Sequence, residues 1–297
     1  MERFTMAWRN CDIDETLELA STLNTIPSPT DEESTLLAAI EIYARALDCP
    51  TRRVGQRNWA SEKQLLIGSE KAAVTLVVHA DRVSENPQRL IPDDKGVIRG
   101  KLDNTISLAA ALVALKRCSR ASNVSILVTT AEETRKPKHG GRGFIDYLEE
   151  MSLNLKEDFA NELAKHIYVA VDVRPLDKND VVDDSGHPIE LGDGLVLRLE
   201  ETKSKVSADE TISNHIRQVA SKGNVVLFDF KGGGRTELGR SWISFLEPRQ
   251  FKKSAYRIGW LQLPVRDCHK LVERTHVDDL RRLQWTLDEL AKSSFYL

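Results

Sequence analysis

The chain has few cysteines: Cys11, Cys49, Cys118 and Cys268 are the only four in 297 residues, and they are scattered. No C-x-x-C pair is present, so neither a redox motif nor a thiolate zinc site is indicated. An excess of basic charge is missing as well. The formal net charge is -3, which argues against nucleic acid as a main partner. The densest basic cluster, Arg135-Lys136-Pro137-Lys138-His139, reads as a solvated loop. Long apolar runs are lacking, so no membrane span is indicated, and Met1-Glu2-Arg3-Phe4 opens without an apolar leader segment. A cytoplasmic location is the resulting expectation. Internal repeats, low-complexity tracts and long linkers are also missing, so residues 1–297 are read as one domain.

What is present alternates. Leu17, Leu19, Ala20 and Leu23 form a helical stripe that Pro27-Ser28-Pro29 interrupts. Thr30 with Glu33 is a capping-box signal for a second helix through Leu36, Leu37, Ile40 and Tyr43. After these helices, short β-branched runs read as buried strands at 74–78, 124–129, 167–173, 225–230 and 261–265. Helices are expected at 106–115, 144–151, 155–165, 211–221 and 277–294. The polar, turn-rich stretch 179–194 reads as a loop or hairpin. Strands alternating with helices predict a three-layer α/β/α fold around a mixed, mostly parallel sheet.

In such sheets, ligands bind beyond the carboxyl ends of the strands. The expected strand ends carry His79-Ala80-Asp81, Glu132-Glu133 and Asp172; Asp103 precedes the Ala/Leu-rich helix, and His269 follows a later strand-like segment. Each has an ordinary explanation. A lone histidine after a strand is usually a hydrogen-bonded rim residue. Asp103 alone would be read as a helix N-cap. Adjacent acids are usually solvated, and Asp172 could form a turn before Pro175. Convergence changes the reading, because clustered carboxylates repel unless a cation compensates them. Imidazole and carboxylate donors without thiolate suit zinc, with cobalt or manganese as substitutes. Five protein donors exceed what one catalytic zinc uses and suit two metals sharing one carboxylate. Cys268 adjoins His269, but neighbours on a strand point to opposite faces, so it is read as a buried free thiol.

The segments His79-Ala80-Asp81, Gly100-Lys101-Leu102-Asp103-Asn104, Glu132-Glu133, Val171-Asp172-Val173 and His269-x-x-x-Glu273 follow one another in an order that resembles the co-catalytic zinc exopeptidases. The chain is most similar to the branch of glutamyl, deblocking and tetrahedral aminopeptidases. Glu190-Leu191-Gly192-Asp193-Gly194 and Gly233-Gly234-Arg235-Thr236-Glu237 resemble that branch's two glycine segments. The resemblance extends from about Leu17 to Leu290. It implies that His79 and Asp172 bind one zinc, that Glu133 and His269 bind the other, and that Asp103 bridges both. It implies Asp81 as the residue orienting His79, Glu132 as the general base, and a cis peptide after Asp103. The implied activity is hydrolysis of short peptides at their N-terminus.

The chain also departs from that branch. Only 23 residues separate His79 from Asp103, too few for the β-rich domain that builds large shells in the branch. A homo-oligomer remains compatible with this, but not the large shell. In the aminoacylases and deacetylase-like carboxypeptidases, a lid domain separates the counterparts of Asp172 and His269. Here 96 residues lie between them, so a near-minimal catalytic domain is expected. Residues 134–139 intervene before the glycines that usually follow the glutamate pair, and Glu237 stands where an aspartate is usual. His276 reads as a structural helix start, while His139, His166, His187 and His215 lack motif support. Two other readings stand beside the aminopeptidase: a hydrolase of N-acyl amino acids or other small amides, and a catalytically inactive scaffold.

Overall fold

The computed structural model describes residues 6–29, 33–55, 63–82, 88–118, 123–130, 142–178, 180–233 and 236–293. Helices α1 (Asp14–Asn24) and α2 (Ser34–Ala46) come first, followed by β1 (Thr51–Val54), β2 (Gln64–Ile67), β3 (Val74–His79) and β4 (Val97–Gly100). Then come α3 (Thr105–Arg117), β5 (Val124–Thr129), α4 (Arg142–Leu155), α5 (Phe159–Lys165) and β6 (Ile167–Pro175). The remainder comprises β7 (Leu195–Glu201), β8 (Val206–Ser207), α6 (Glu210–Lys222), β9 (Leu227–Lys231), α7 (Glu237–Ser241), β10 (Arg257–Val265), β11 (Glu273–His276) and α8 (Val277–Lys292).

The main sheet runs β1-β2-β5-β3-β6-β10-β7-β8, with β9 joined to β7. Its centre, β5-β3-β6-β10, is parallel. Pairing turns antiparallel at β2–β5 and β10–β7. The parallel centre follows from its sequence: VTLVVH and VSILVT are buried at every position, as strands covered on both faces require. Alternation divides their side chains between two cores. Val74, Leu76 and Val78 join Ile126, Val128, Val169 and Val171 beneath α1, α2, α3 and α8. Val77, Leu127, Tyr168 and Ala170 face the opposite layer, built from α4, α5 and the segment around Trp242 and Phe245. Helix α3 is buried from Thr105 to Leu115, and it packs between the sheet and α1 and α8.

A second, two-stranded sheet joins β4 to β11, and β4 is the one strand or helix described between β3 and α3. Strands at β1, β2, β4, β8 and β11 were not expected from the sequence. They have two or four residues, too few to establish a period of two. Strand β7 escaped notice because Arg198 interrupts its apolar run, although Arg198 is buried. The turn-rich stretch after β6 is a hairpin closed by a bridge between Val182 and Pro188. Thr30, the expected cap of α2, lies outside the described residues.

Candidate metal centre

Parallel register brings the first donors together. His79 ends β3 opposite Thr129 of β5. Val77 pairs with Ala170, so continuing that register by two residues carries His79 to Asp172 of β6. The His79 Nε2 lies 3.4 Å from Asp172 Oδ1 and 3.2 Å from Asp103 Oδ1. Asp103 arrives from the loop between β4 and α3, and its peptide bond to Asn104 is cis, as the resemblance implies. It does not cap α3: Asn104 holds the N-cap position without a side-chain cap. The other Asp103 oxygen, Oδ2, meets His269 Nε2 at 3.1 Å and Cys268 Sγ at 3.5 Å.

His269 is not on a strand. It lies in the turn from β10 to β11, where Asp267 and His269 adopt left-handed φ values of 59° and 64°. Lys270 and Arg274 both pair with the Asp267 carboxylate in this turn. The alternation expected of a strand is therefore broken, and Cys268 faces Asp103 together with its neighbour. This corrects the reading of Cys268 as a thiol turned away from the site.

One carboxylate holds both halves of the arrangement. Glu273 is fully buried. It accepts hydrogen bonds from the backbone N–H groups of Leu102, Asp103 and His269 at 2.6, 3.0 and 2.8 Å, and from Lys101 Nζ at 2.7 Å. The His79 ring is fixed from behind, with Nδ1 3.1 Å from the Asp81 backbone carbonyl and 3.6 Å from its carboxylate. A donor Nδ1 leaves Nε2 turned to Asp103 and Asp172. The loop after His79 is tied to the N-terminal helices by Ser28 Oγ donating to Ala80 O and Arg82 donating to Asn24 Oδ1.

The electrostatics are those of a crowded anionic site. Burial works against charge on His79, but contacts with Asp103, Asp172 and Asp81 outweigh it and hold the imidazole well above its ordinary pKa. Burial likewise opposes ionisation of Asp103, yet both histidines hold its carboxyl below the usual range. Burial and the Asp103 charge push the Cys268 thiol up. Glu237, the first residue of α7, is buried against the Thr129 hydroxyl, which donates to it at 2.7 Å. Burial pushes its carboxyl up to about 8, with Asp81 and Asp172 adding to the rise.

These residues fit a divalent metal. Two donor groups form, His79–Asp103–Asp172 and Asp103–Cys268–His269, and Asp103 belongs to both. Apart from His79 Nε2 at 3.2 Å, the buried Asp103 Oδ1 meets no hydrogen-bond partner, and two donors that face each other in this way suit a cation between them. Glu132 and Glu133 lie outside the described residues, as do Ala131, the run 135–139, Gly140, Gly141, Gly234 and Arg235. The Glu190–Gly194 segment packs elsewhere: Gly192 N donates to Asp279 at 2.6 Å, beside the start of α8. His276 caps α8 by accepting from Asp278 N, as a structural helix start.

Beside these candidate donors opens a cleft of about 330 Å³. Among the described residues its wall carries Arg174, Lys178, Arg198 and Arg240, against Asp180 as the one acid besides Asp103 and Asp172. Arg174 pairs with Asp180 at 2.6 Å and stacks on the Phe230 ring. Arg198 donates to Gly232 O at 2.6 Å. Gly233 has φ 84°, and a Cβ there would stand 3.0 Å from Arg174 and 3.1 Å from Arg198. Both guanidiniums were overlooked in the sequence. Arg174 could have been found, since it stands two residues after Asp172 on β6 and so shares its face. Arg198 carried no signal of its own, because β7 was not recognised.

The model of the M42 glutamyl aminopeptidase family matches residues 65–285. Among solved structures, aminopeptidase APDkam598 from the archaeon Desulfurococcus kamchatkensis is similar at 12% identity and TM-score 0.67, covering 93% of this chain and 94% of that one. The TET1 peptidase of Pyrococcus horikoshii is similar at 14% identity and TM-score 0.67, covering 95% of this chain and all of that one. A TET aminopeptidase from a marine-sediment Thaumarchaeota archaeon gives 14% identity and TM-score 0.65, covering 94% and 96%. No curated protein matches the chain in sequence. At such identities the structural likeness concerns the fold.

The buried Glu237 carboxyl makes stability depend on pH in a definite direction. Its folded pKa, about 8, lies above its ordinary 4.5. The native state thus keeps a proton that the unfolded chain releases. The stabilisation is complete below the ordinary value and is lost as pH rises through the folded one. Urea denaturation of the metal-free protein between about pH 5 and about pH 9 should show falling stability, and Glu237→Gln should flatten that fall.

Proposed function

The chain belongs to the M42 glutamyl aminopeptidase family, and from that premise we propose that it removes acidic N-terminal residues from short peptides at a two-zinc centre bridged by Asp103. Family membership makes it a metallopeptidase that hydrolyses peptides at the N-terminus, and it implies a divalent metal requirement. The N-acyl amidase reading is not favoured by that membership. The two-metal centre in this proposal rests on one observation. The two oxygens of Asp103 face different histidines, Oδ1 toward His79 and Oδ2 toward His269.

In this reading His79 and Asp172 hold one zinc, His269 and Glu133 hold the other, and Asp103 holds both. Cobalt or manganese could substitute. Three protein donors per metal leave a position for substrate or water. Bound cations supply Lewis-acid polarisation of the scissile carbonyl and compensate the charge that develops on its oxygen. Glu132 takes the proton of the attacking water and passes it to the leaving amine. Asp81 fixes the tautomer of His79, through its backbone carbonyl at 3.1 Å more than through its carboxylate at 3.6 Å. Arg174 and Arg198 receive the carboxylate of the first side chain, because among the described residues that wall has more cations than acids once Asp103 and Asp172 are given to metal.

We further propose that the chain is a single catalytic domain. Self-association is compatible with the fold, and the Pyrococcus horikoshii TET1 peptidase assembles into a tetrahedron or a large octahedral shell. In this chain any such contact would lack a β-rich insert, since only 23 residues holding β4 separate His79 from Asp103. The cytoplasm is the proposed location. All four cysteines are free thiols, which suits a reducing compartment. No described helix is long and apolar enough to cross a membrane.

Glu132→Gln should lower kcat by about a hundredfold or more while the metal content, read by plasma mass spectrometry, stays unchanged. An unaltered rate would remove Glu132 from the mechanism. Arg174→Gln should lower kcat/KM for a glutamyl anilide by about ten- to a hundredfold, the worth of one charge-assisted hydrogen bond. A leucyl anilide should be little affected. Equal losses on both substrates would overturn the acidic preference while leaving the aminopeptidase intact.

A further inference from the structure

Cys268 precedes His269 in the turn between β10 and β11, and the turn aims both side chains at the same Asp103 oxygen. Cys268 Sγ stands 3.5 Å from Asp103 Oδ2, and His269 Nε2 stands 3.1 Å from it. The donor atoms of the three residues all lie within 4.8 Å of one another. With zinc–nitrogen bonds of about 2.0–2.1 Å and zinc–sulfur bonds of about 2.3 Å, tetrahedral donors stand roughly 3.3–3.7 Å apart. The observed spacings are already close to that arrangement. Asp103 is 5% exposed, so the oxygen that both side chains meet is withdrawn from water. None of the other three cysteines belongs to a comparable donor group among the described residues.

We propose that Cys268 is a thiolate ligand of the metal position built from Asp103 and His269. The proposal rests on the two-metal reading and makes that centre asymmetric. The His79–Asp103–Asp172 position has only nitrogen and oxygen donors, while the other includes sulfur. On coordination the S–H proton leaves to solvent and the sulfur lone pair takes the cation, as happens when a divalent metal meets a thiol. The His269 side chain is 49% exposed, and the sulfur gives this solvent-facing position a fourth protein donor, so the place left for substrate or water is at the His79–Asp103–Asp172 position. A soft donor also sets a metal preference. Zinc, cobalt and cadmium are favoured there over magnesium and manganese, whereas the other position shows no such bias. The alternative role for Cys268 is that of a thiol donating a hydrogen bond to Asp103 and nothing more.

Cobalt separates the two roles without reference to turnover. The metal-free full chain is titrated with Co²⁺, and its visible ligand-field bands and near-ultraviolet sulfur-to-cobalt charge-transfer band are followed. Wild-type protein should develop both features. C268S should keep ligand-field bands and lose the charge-transfer band. In parallel, wild-type Cys268 is alkylated with iodoacetamide and read by peptide mass spectrometry. Bound zinc should slow its modification by about tenfold or more, since the cation draws electron density from a coordinated sulfur and blocks its approach. Magnesium should not protect it. This arm needs no variant, so a misfolded C268S leaves the proposal testable. Ligand-field bands without charge transfer in the wild type would overturn the thiolate and leave the metal centre standing. So would a charge-transfer band that persists in C268S, or alkylation unslowed by zinc. Failure to bind cobalt at all would overturn the two-metal reading together with the thiolate.

Discussion

The Glu273 carboxylate is the contact on which the arrangement of the candidate metal donors depends. It joins two segments that sequence places far apart, the loop into α3 and the turn after β10. Three backbone N–H groups and Lys101 converge on its two oxygens. A buried carboxylate is costly unless it is paired and its lone pairs are used, and here both conditions are met. Because two of those N–H groups belong to Asp103 and His269 themselves, the hydrogen bonds fix backbone positions of the residues that face each other across the site. The pairing of β4 with β11 places Glu273 opposite Gly100, so a small sheet outside the main one sets the distance between the donors.

The main sheet supplies the other half. His79 and Asp172 are neighbours because β3 and β6 are parallel and in register. Their side chains continue the row that Val77 and Ala170 begin beneath them. The apolar alternation that builds two cores therefore also aims the donors. The result concentrates negative charge at one edge, and the protein answers it in two ways. His79 and His269 approach Asp103 from its two sides, while Arg174 and Arg198 line the adjoining cleft. The first balances charge where a metal would bind, and the second extends a positive field over the space where a substrate side chain would lie.

Much of this was legible in the sequence. The central strands are continuous β-branched runs, and α3 is an unbroken Ala/Leu-rich segment, so their places followed from composition and period. The placing of His79 and Asp172 side by side at their ends followed from where such sheets bind ligands, while Glu132 and Glu133 lie outside the described residues. Three things did not follow. Short strands such as β4 and β11 leave no periodic trace, which hid the role of Glu273. Arg198 looked like an interruption because a buried guanidinium breaks an apolar pattern. Cys268 reads from the sequence as a strand residue turned away from its neighbour, whereas left-handed residues at Asp267 and His269 make the segment a turn. Local conformation there decides which side chains meet, and residue type alone does not reveal it.

The central claim is that Asp103 serves two metal ions at once. Counting bound zinc per chain after equilibrium dialysis tests it most directly, with wild type, Asp172→Asn and Asp103→Asn compared. The account predicts two zinc ions in wild type, loss of one in Asp172→Asn, and loss of both in Asp103→Asn. If Asp103→Asn retained as much zinc as Asp172→Asn, the carboxylate would serve a single ion and the bridged centre would be wrong.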